Sequence, residues 1–203
     1  MVVRRAVLFK SRSFRGFLPA ASADLRNLIL SEASYLERAS AEQDPAYKQP
    51  IGYAVVLDPA GTKVFAYRRA PHEAYAERRL RGLWSWGVGG HVEEEDSGAP
   101  DPIAASLRRE LREEVGMSGN EPLWLLGYIN DDDTEVGSVH FGLLYVAKSR
   151  SDSLSPSSPE LAEGEFVSPE KIEKLLAAPE ESVEAWSRIA WPAVLSFMKA
   201  GRM

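Results

Sequence analysis

The chain has no cysteine among its 203 residues, which excludes a disulfide framework, thiolate metal sites and cysteine nucleophiles. It also has no apolar run long enough to span a bilayer, and Arg4 and Arg5 interrupt the apolar stretch near its start. A cytoplasmic protein with no membrane partner is therefore expected. Positive charge is in deficit: 24 Lys and Arg against 30 Asp and Glu leave a formal charge of −6. That balance argues against broad nucleic-acid binding by phosphate neutralisation, but it allows a small phosphorylated substrate wherever positive charge is focused locally. Internal repeats are absent too. With 44% hydrophobic residues, residues 1–203 suffice for a single well-cored domain with embellishments at its ends.

What is present is concentrated between Gly89 and Met117, GGHVEEEDSGAPDPIAASLRRELREEVGM. The second half predicts a helix, capped by Asp101, opened by Pro102 at its first position and ended by Gly116 in a left-handed conformation. Ile103, Leu107, Leu111 and Val115 recur every four residues, so one side of this helix packs on a core. Glu110, Glu113 and Glu114 then crowd the last turn, where free carbonyls already present the negative end of the helix dipole. Glu110 and Glu114 are also a like-charge pair costing about 0.2–0.5 kcal/mol, and Glu114 falls in the sector of the apolar stripe. A divalent cation relieves all three penalties at once, because the i, i+3, i+4 spacing aims three hard oxygen donors at one region. The competing interpretation is a solvated acidic face.

Arg109-Glu110-Leu111-Arg112-Glu113-Glu114-Val115-Gly116-Met117 resembles, position by position, the R-E-U-x-E-E-x-G-U half of the Nudix box, where U is a bulky apolar residue. Gly89-Gly90 followed by His91, Val92 and Glu93 is similar to the glycine-rich opening of that box. Counting from the glycines puts the central acid of the motif at Asp96, and counting back from Arg109 puts it at Asp101, so the chain carries five extra residues inside the box. A Gly-Gly-His-Val opening with such an insertion resembles the branch called predicted phosphoesterases. The resemblance implies an α/β/α sandwich of α+β type with a mixed sheet, its core over about 50–178; the residues before that core predict a strand-helix extension over 1–49. It further implies that Glu110, Glu113 and Glu114 hold Mg²⁺ or Mn²⁺ together with a Gly89 or Gly90 carbonyl, Gly90 being taken as the metal ligand and Gly89 as facing substrate. Arg109 is implied to orient a box glutamate.

Outside the box, Val2–Phe9 predicts a strand, the basic stretch from Lys10 to Gly16 an irregular loop, and Ser22 to Ser40 a helix capped by Ser22. Residues 51–57 and 63–67 predict a hairpin around Asp58-Pro-Ala-Gly61. Arg68, Arg69, His72, Arg78, Arg79 and Arg81 concentrate positive charge before the glycines. Arg68 and Arg69 are candidate substrate-binding residues there, since a guanidinium fork suits phosphate; an exposed, salt-bridged loop is the alternative. Tyr67, Tyr75, Trp84 or Trp86 could stack on a base, although core packing is the plainer use of the tryptophans. Strands follow over 122–129 and 136–147, separated by an acidic turn, Asn130 to Glu135, that reads as a solvated hairpin tip. After a Ser/Pro-rich loop come a short strand at Gly164–Val167, a helix from Ser168 to about Ala178 and a last helix over about 181–199. Pro192 is expected to kink that helix, and its apolar face suits core packing or, as a second reading, a homodimer contact.

The activity implied by the resemblance is hydrolysis of a diphosphate linkage in a nucleoside diphosphate linked to another moiety, or in a similar small phosphorylated compound. If the box glutamates are occupied by metal, the general base must come from elsewhere. Glu160 and Glu163, just before the Gly164-Glu165-Phe166-Val167 strand, fill the place the superfamily can use, and the Asp131–Glu135 turn is the competing source. Two other classes share the fold: a regulatory module that binds a nucleotide without cleaving it, and a prenyl diphosphate isomerase, whose chemistry is expected to need the cysteine this chain lacks.

Overall fold

The computed structural model describes residues 1–10, 13–71, 80–179 and 182–201. In chain order its elements are β1 (Val3–Arg4), α1 (Arg5–Leu8), β2 (Gly16–Pro19), α2 (Leu25–Glu32), α3 (Arg38–Ala41), β3 (Tyr47–Leu57), β4 (Val64–Arg69), β5 (Trp84–Ser85) and β6 (Gly87–Val88). Then follow α4 (Pro102–Val115), β7 (Leu123–Asn130), α5 (Glu135–Val139), β8 (His140–Lys148), β9 (Leu161–Val167), α6 (Pro169–Leu176) and α7 (Ala185–Lys199). They gather into two compact units, one from Met1–Tyr53, Gly89–Leu107 and Leu125–Tyr145, the other from Ala54–Val88, Arg108–Trp124 and Val146–Met203. β3, α4, β7 and β8 each contribute residues to both. Among the described residues no helix is long and apolar enough to cross a membrane.

In the first unit the strand order is β2-β7-β8-β3. β2 replaces the end of the expected basic loop: Gly16, at φ +77°, opens a strand whose Gly16–Pro19 pair antiparallel with Gly127–Asn130. Ser11 and Arg12 of that loop lie outside the described residues. The expected long helix over 22–40 is broken because Ser34 exchanges both backbone hydrogen bonds with Val2, at 2.7 and 2.9 Å. Asp24, not Ser22, caps α2 by accepting from Asn27 N–H. The expected first strand is likewise short: β1 gives way to the single turn α1 after two residues. Phe9, Phe14, Tyr128 and Phe141 form an aromatic cluster with centroids about 6 Å apart, which adds edge-to-face attraction to the burial of Ile29, Ile129 and Phe141. α4 seats directly on the β3 backbone at Gly52, where a Cβ would come within 2.9 Å of Leu107 Cβ. Gly89 is equally constrained, since a Cβ there would sit 1.9 Å from the Gly52 carbonyl oxygen.

The acidic turn is not a solvated tip. Lys48 is fully buried, and its ammonium donates to Asp132 at 2.8 Å and to the Gly137 carbonyl at 2.6 Å. Arg5 donates to both oxygens of the same carboxylate. These donors outweigh the desolvation of Asp132 and hold its carboxyl well below the usual carboxylate range. Thr134 then caps α5, so the segment expected as the start of a strand is a helical turn before β8.

In the second unit β4 pairs antiparallel with β3, β5 and β9, and β6 pairs with β3. The β4–β9 register shifts between Tyr67 and Arg68, leaving Glu163 as the extra residue of a bulge at φ +48°. β9 is therefore longer than the Gly164–Val167 strand that the sequence suggests. Trp86 is fully buried and meets Trp191 edge to face at 6.2 Å, so core packing is the use made of it. α7 runs unbroken past Pro192, and its apolar face, Trp186, Ala190, Trp191, Val194 and Phe197, is buried within the chain.

Candidate active site

The inserted residues of the box fold into a 3₁₀ turn, Glu94–Gly98, closed by a reciprocal capping box. Asp96 accepts from Glu93 N–H at 2.9 Å and is itself buried. Asp101 caps α4, accepting from Ile103 and Ala104 N–H at 3.1 Å each, and Arg26 ion-pairs with its other oxygen. At the opposite end Gly116 takes φ +67°, the Gly116 and Met117 amides return to the Arg112 and Leu111 carbonyls, and Ser157 N–H donates to the Glu114 carbonyl at 2.7 Å. The segment before β9 thus satisfies a carbonyl that the helix end leaves open.

Charge, unlike backbone polarity, is not fully compensated there. Arg109 donates to Glu110 at 2.8 Å and reaches Glu113 at 3.4 Å, whose side chain is 59% exposed. Glu114 is only 8% exposed, and its Oε2 has no hydrogen-bond partner among the described residues. Burial pushes its carboxyl up to about 8; Arg69 opposes that rise, while Glu110, Glu160 and Glu184 reinforce it. No three carboxylate or imidazole groups among the described residues converge closely enough to hold a metal ion. The donor set nevertheless fits a hard divalent cation. A buried carboxylate oxygen without a partner, next to further carboxylates and without nitrogen or sulfur ligands, is chemistry suited to Mg²⁺ or Mn²⁺.

The remaining candidates are placed unevenly. Arg69 is buried and donates to Glu184 at 3.2 Å, and its guanidinium lies 5.6 Å from the Tyr67 ring centroid. Arg68 is exposed, bonded to the Gly82 carbonyl and 6.0 Å from the Trp84 ring centroid. Residues 72–79, from which the sequence suggests further arginine contacts and Tyr75 stacking, lie outside the described residues, as does Glu181. Glu160 is half-buried at the turn before β9, and its carbonyl accepts from Ala70 N–H at 2.8 Å. Glu163 is exposed in the bulge. Gly89 and Gly90 belong to the first unit, where His91 pairs with Ile51 on β3. The imidazoles of His91 and His140 face each other at 3.0 Å, and His140 Nδ1 lies 2.6 Å from the Val136 carbonyl. Burial and nearby positive charge hold the His91 imidazole down to about 3, so it is neutral.

Glu184 is the residue that motif reasoning misses. It is 7% exposed, sits at the N-cap of α7 and bears on the same carboxyl as the box residues. An acid before a helix is an ordinary capping preference, and Arg69 lies 115 positions away, so no local pattern marks it.

The sequence profile of the NUDIX domain matches residues 48–187. The chain is 35% identical over 152 residues to Protein YmaB of Bacillus subtilis (strain 168), spanning 71% of this chain and 72% of that protein. The crystal structure of Tm1382, assigned to the Nudix hydrolases, aligns with a TM-score of 0.78 at 32% identity over 97% of both chains. The Nudix domain of Shewanella oneidensis NrtR, solved with ADP ribose, shares the fold at a TM-score of 0.52 and 15% identity, over 82% of this chain and 97% of that one. The chain belongs to the Nudix hydrolases, a pyrophosphohydrolase family whose members typically use divalent metals and bind nucleotide-like phosphorylated substrates. Its fold is the α/β Nudix fold with a mixed sheet and a C-terminal helix.

Proposed function

We propose that this Nudix hydrolase cleaves the diphosphate linkage of a nucleoside diphosphate joined to another moiety, or of a similarly small phosphorylated compound, with Mg²⁺ or Mn²⁺ held by Glu110, Glu113 and Glu114. The observation that carries the reading is the buried Glu114 carboxyl, whose Oε2 has no partner among the described residues at the end of the box helix. When bound, the cation supplies charge neutralisation at the phosphate oxygens and lowers the pKa of an attacking water. Arg109 orients Glu110 through the 2.8 Å ion pair. Arg68, exposed beside the Trp84 ring, is the arginine positioned to donate to a substrate phosphate.

Glu160 is the acid we assign to proton acceptance from the nucleophilic water. It belongs to the charges that bear on Glu114, whereas Glu163 is exposed in the bulge. The rival turn is committed elsewhere: Asp132 is held by Arg5 and Lys48, and Asp133 by Arg15. The deciding experiment is a hydrolysis screen over nucleoside diphosphates and diphosphate-linked compounds with Mg²⁺ and with Mn²⁺, run beside Glu114→Gln. Release of phosphate-bearing fragments by the wild type and its loss in the variant are expected. Ligand recovered intact across the screen would favour a binding module instead.

A further inference from the structure

Two charged side chains next to the glutamate cluster are absorbed by neither the box nor a substrate contact. Arg69 ends β4, is paired across to Leu161 of β9, and is followed by Ala70, whose N–H bonds the Glu160 carbonyl. Glu184 starts α7, where its own N–H bonds the Trp84 carbonyl at 2.9 Å. Ser157, three residues before Glu160, bonds the Glu114 carbonyl, so β4, the segment before β9, the last turn of α4 and the cap of α7 meet where Arg69 ends its strand. The Arg69–Glu184 pair is shut away from water, with side-chain exposures of 7% and 9%. Buried ion pairs of this kind are rarely retained for stability, since a well-packed apolar pair does as well or better.

We infer that Arg69 and Glu184 form a built-in counter-charge that sets the divalent-cation affinity of the Glu110, Glu113 and Glu114 cluster, which makes Arg69 a positioning residue rather than a substrate-binding one. The inference rests on the metal site proposed above. Arg69 and an incoming cation compete for the same negative charge: the guanidinium keeps the buried carboxylates compatible with folding when no ion is bound, and repels the ion when it arrives. Glu184 acts in the opposite sense. It adds a negative charge to the group and holds the guanidinium to itself, away from Glu114. Removing one partner must therefore strengthen ion binding and removing the other must weaken it, whereas simple structural damage weakens binding in both cases.

The test is Mn²⁺ titration of the full chain, reading free Mn²⁺ by electron paramagnetic resonance at fixed pH, with circular dichroism to verify folding. Arg69→Met is expected to bind Mn²⁺ about tenfold more tightly and Glu184→Gln about tenfold more weakly, the size of one unit charge acting on a doubly charged ion from about 6 Å under water-like screening. Arg69→Lys, which keeps the charge, should stay near wild type. If Arg69→Met alone does not fold because Glu184 is left unpaired, the double variant supplies the same comparison: adding Arg69→Met to Glu184→Gln should recover about tenfold in affinity. Equal weakening by both single variants, or no change on adding Arg69→Met to Glu184→Gln, overturns the counter-charge. Absence of Mn²⁺ binding by the wild type overturns the metal-site reading itself and the inference with it.

Discussion

Glu114→Gln separates the two roles that one buried carboxyl plays, in folding and in ion binding. In the metal-free chain its carboxyl is pushed from 4.5 to about 8. A carboxyl raised on folding holds its proton in the native state over a range where the unfolded chain has released it. Stability is therefore fully present below 4.5, falls as pH rises toward 8, and is flat beyond. The loss is about 3 kcal/mol at pH 7 and about 4 kcal/mol at pH 8, approaching about 5 kcal/mol above it, taking 1.36 kcal/mol for each pKa unit. Glutamine keeps the volume and cannot ionise, but it places amide donors at an oxygen position without a partner, a cost of about 1–3 kcal/mol that does not depend on pH.

The stability curves of the two proteins should therefore cross. With chelator present, Glu114→Gln is expected to be less stable than wild type at pH 5 by up to about 2 kcal/mol, the amide cost less what the wild type has already lost there, and more stable at pH 8 by about 2 kcal/mol, a rise in Tm of about 4–8 °C for a chain of this length. Saturating Mn²⁺ should then raise the wild type, by about 2.7 kcal/mol at a hundredfold excess over Kd, and leave the variant almost unmoved. Turnover should fall at least about a hundredfold, since a ligand of the reacting centre has been lost. Thermal unfolding at pH 5 and pH 8, with chelator and with Mn²⁺, reads all of these. Parallel curves in chelator would refute the burial argument, and equal Mn²⁺ shifts would refute the ligand assignment.

Asp101→Ala should lower stability by about 1–2 kcal/mol and Asp96→Ala by less, because the first removes two amide caps and the Arg26 pair whereas the second loosens one turn; urea unfolding ranks them. Glu160→Gln should depress turnover far more than Mn²⁺ affinity, with Glu163→Gln nearly silent in both; retention of wild-type turnover by Glu160→Gln removes it as the base. Asp132→Asn should cost about 3–5 kcal/mol by leaving Lys48 buried with its charge uncompensated, while turnover per folded molecule is unchanged. The His91 imidazole, held down to about 3 from 6.5, binds its proton more readily in the unfolded chain. Stability is then present above 6.5 and falls as pH drops below it, by about 1–2 kcal/mol at pH 5, and His91→Asn should flatten that acid limb in urea unfolding followed between pH 7 and pH 5.

What was legible in the sequence was local. The α4 boundaries rest on Asp101, Pro102 and Gly116, each acting within a few residues of itself, and the structure uses all three as their chemistry suggests. Trp86 could be placed in the core for the same reason, since the burial of a large ring needs no particular partner. Features that depend on distant partners were not legible. β2 looks irregular because its order comes from backbone pairing with β7, more than a hundred residues on, and not from its own side-chain pattern. The Asn130–Glu135 segment looks solvated because it is acidic, yet Asp132 takes its cations from Arg5 and Lys48, 127 and 84 positions away. Ser34 leaves the helix for a backbone bridge to Val2 that no helical period could signal.

The acidic end of α4 shows how far a local penalty can be followed. Reading the helix alone, three costs converge on its last turn: acids at the negative pole, a like-charge pair, and a carboxylate in the apolar sector. The fold removes part of this. Ser157 satisfies the Glu114 carbonyl, Arg109 draws Glu110 and Glu113 to itself, and Glu113 stays in solvent. The third cost is left standing, because Glu114 does lie inside, with one oxygen unmet among the described residues and, of the described charges that bear on it, Arg69 alone favouring its ionised form. Since Arg69 is at the same time bonded to Glu184, its charge is divided between two buried carboxylates. A single guanidinium cannot meet both, so without an ion Glu114 keeps its proton toward pH 8, and a divalent cation is the partner that would let it ionise at this turn.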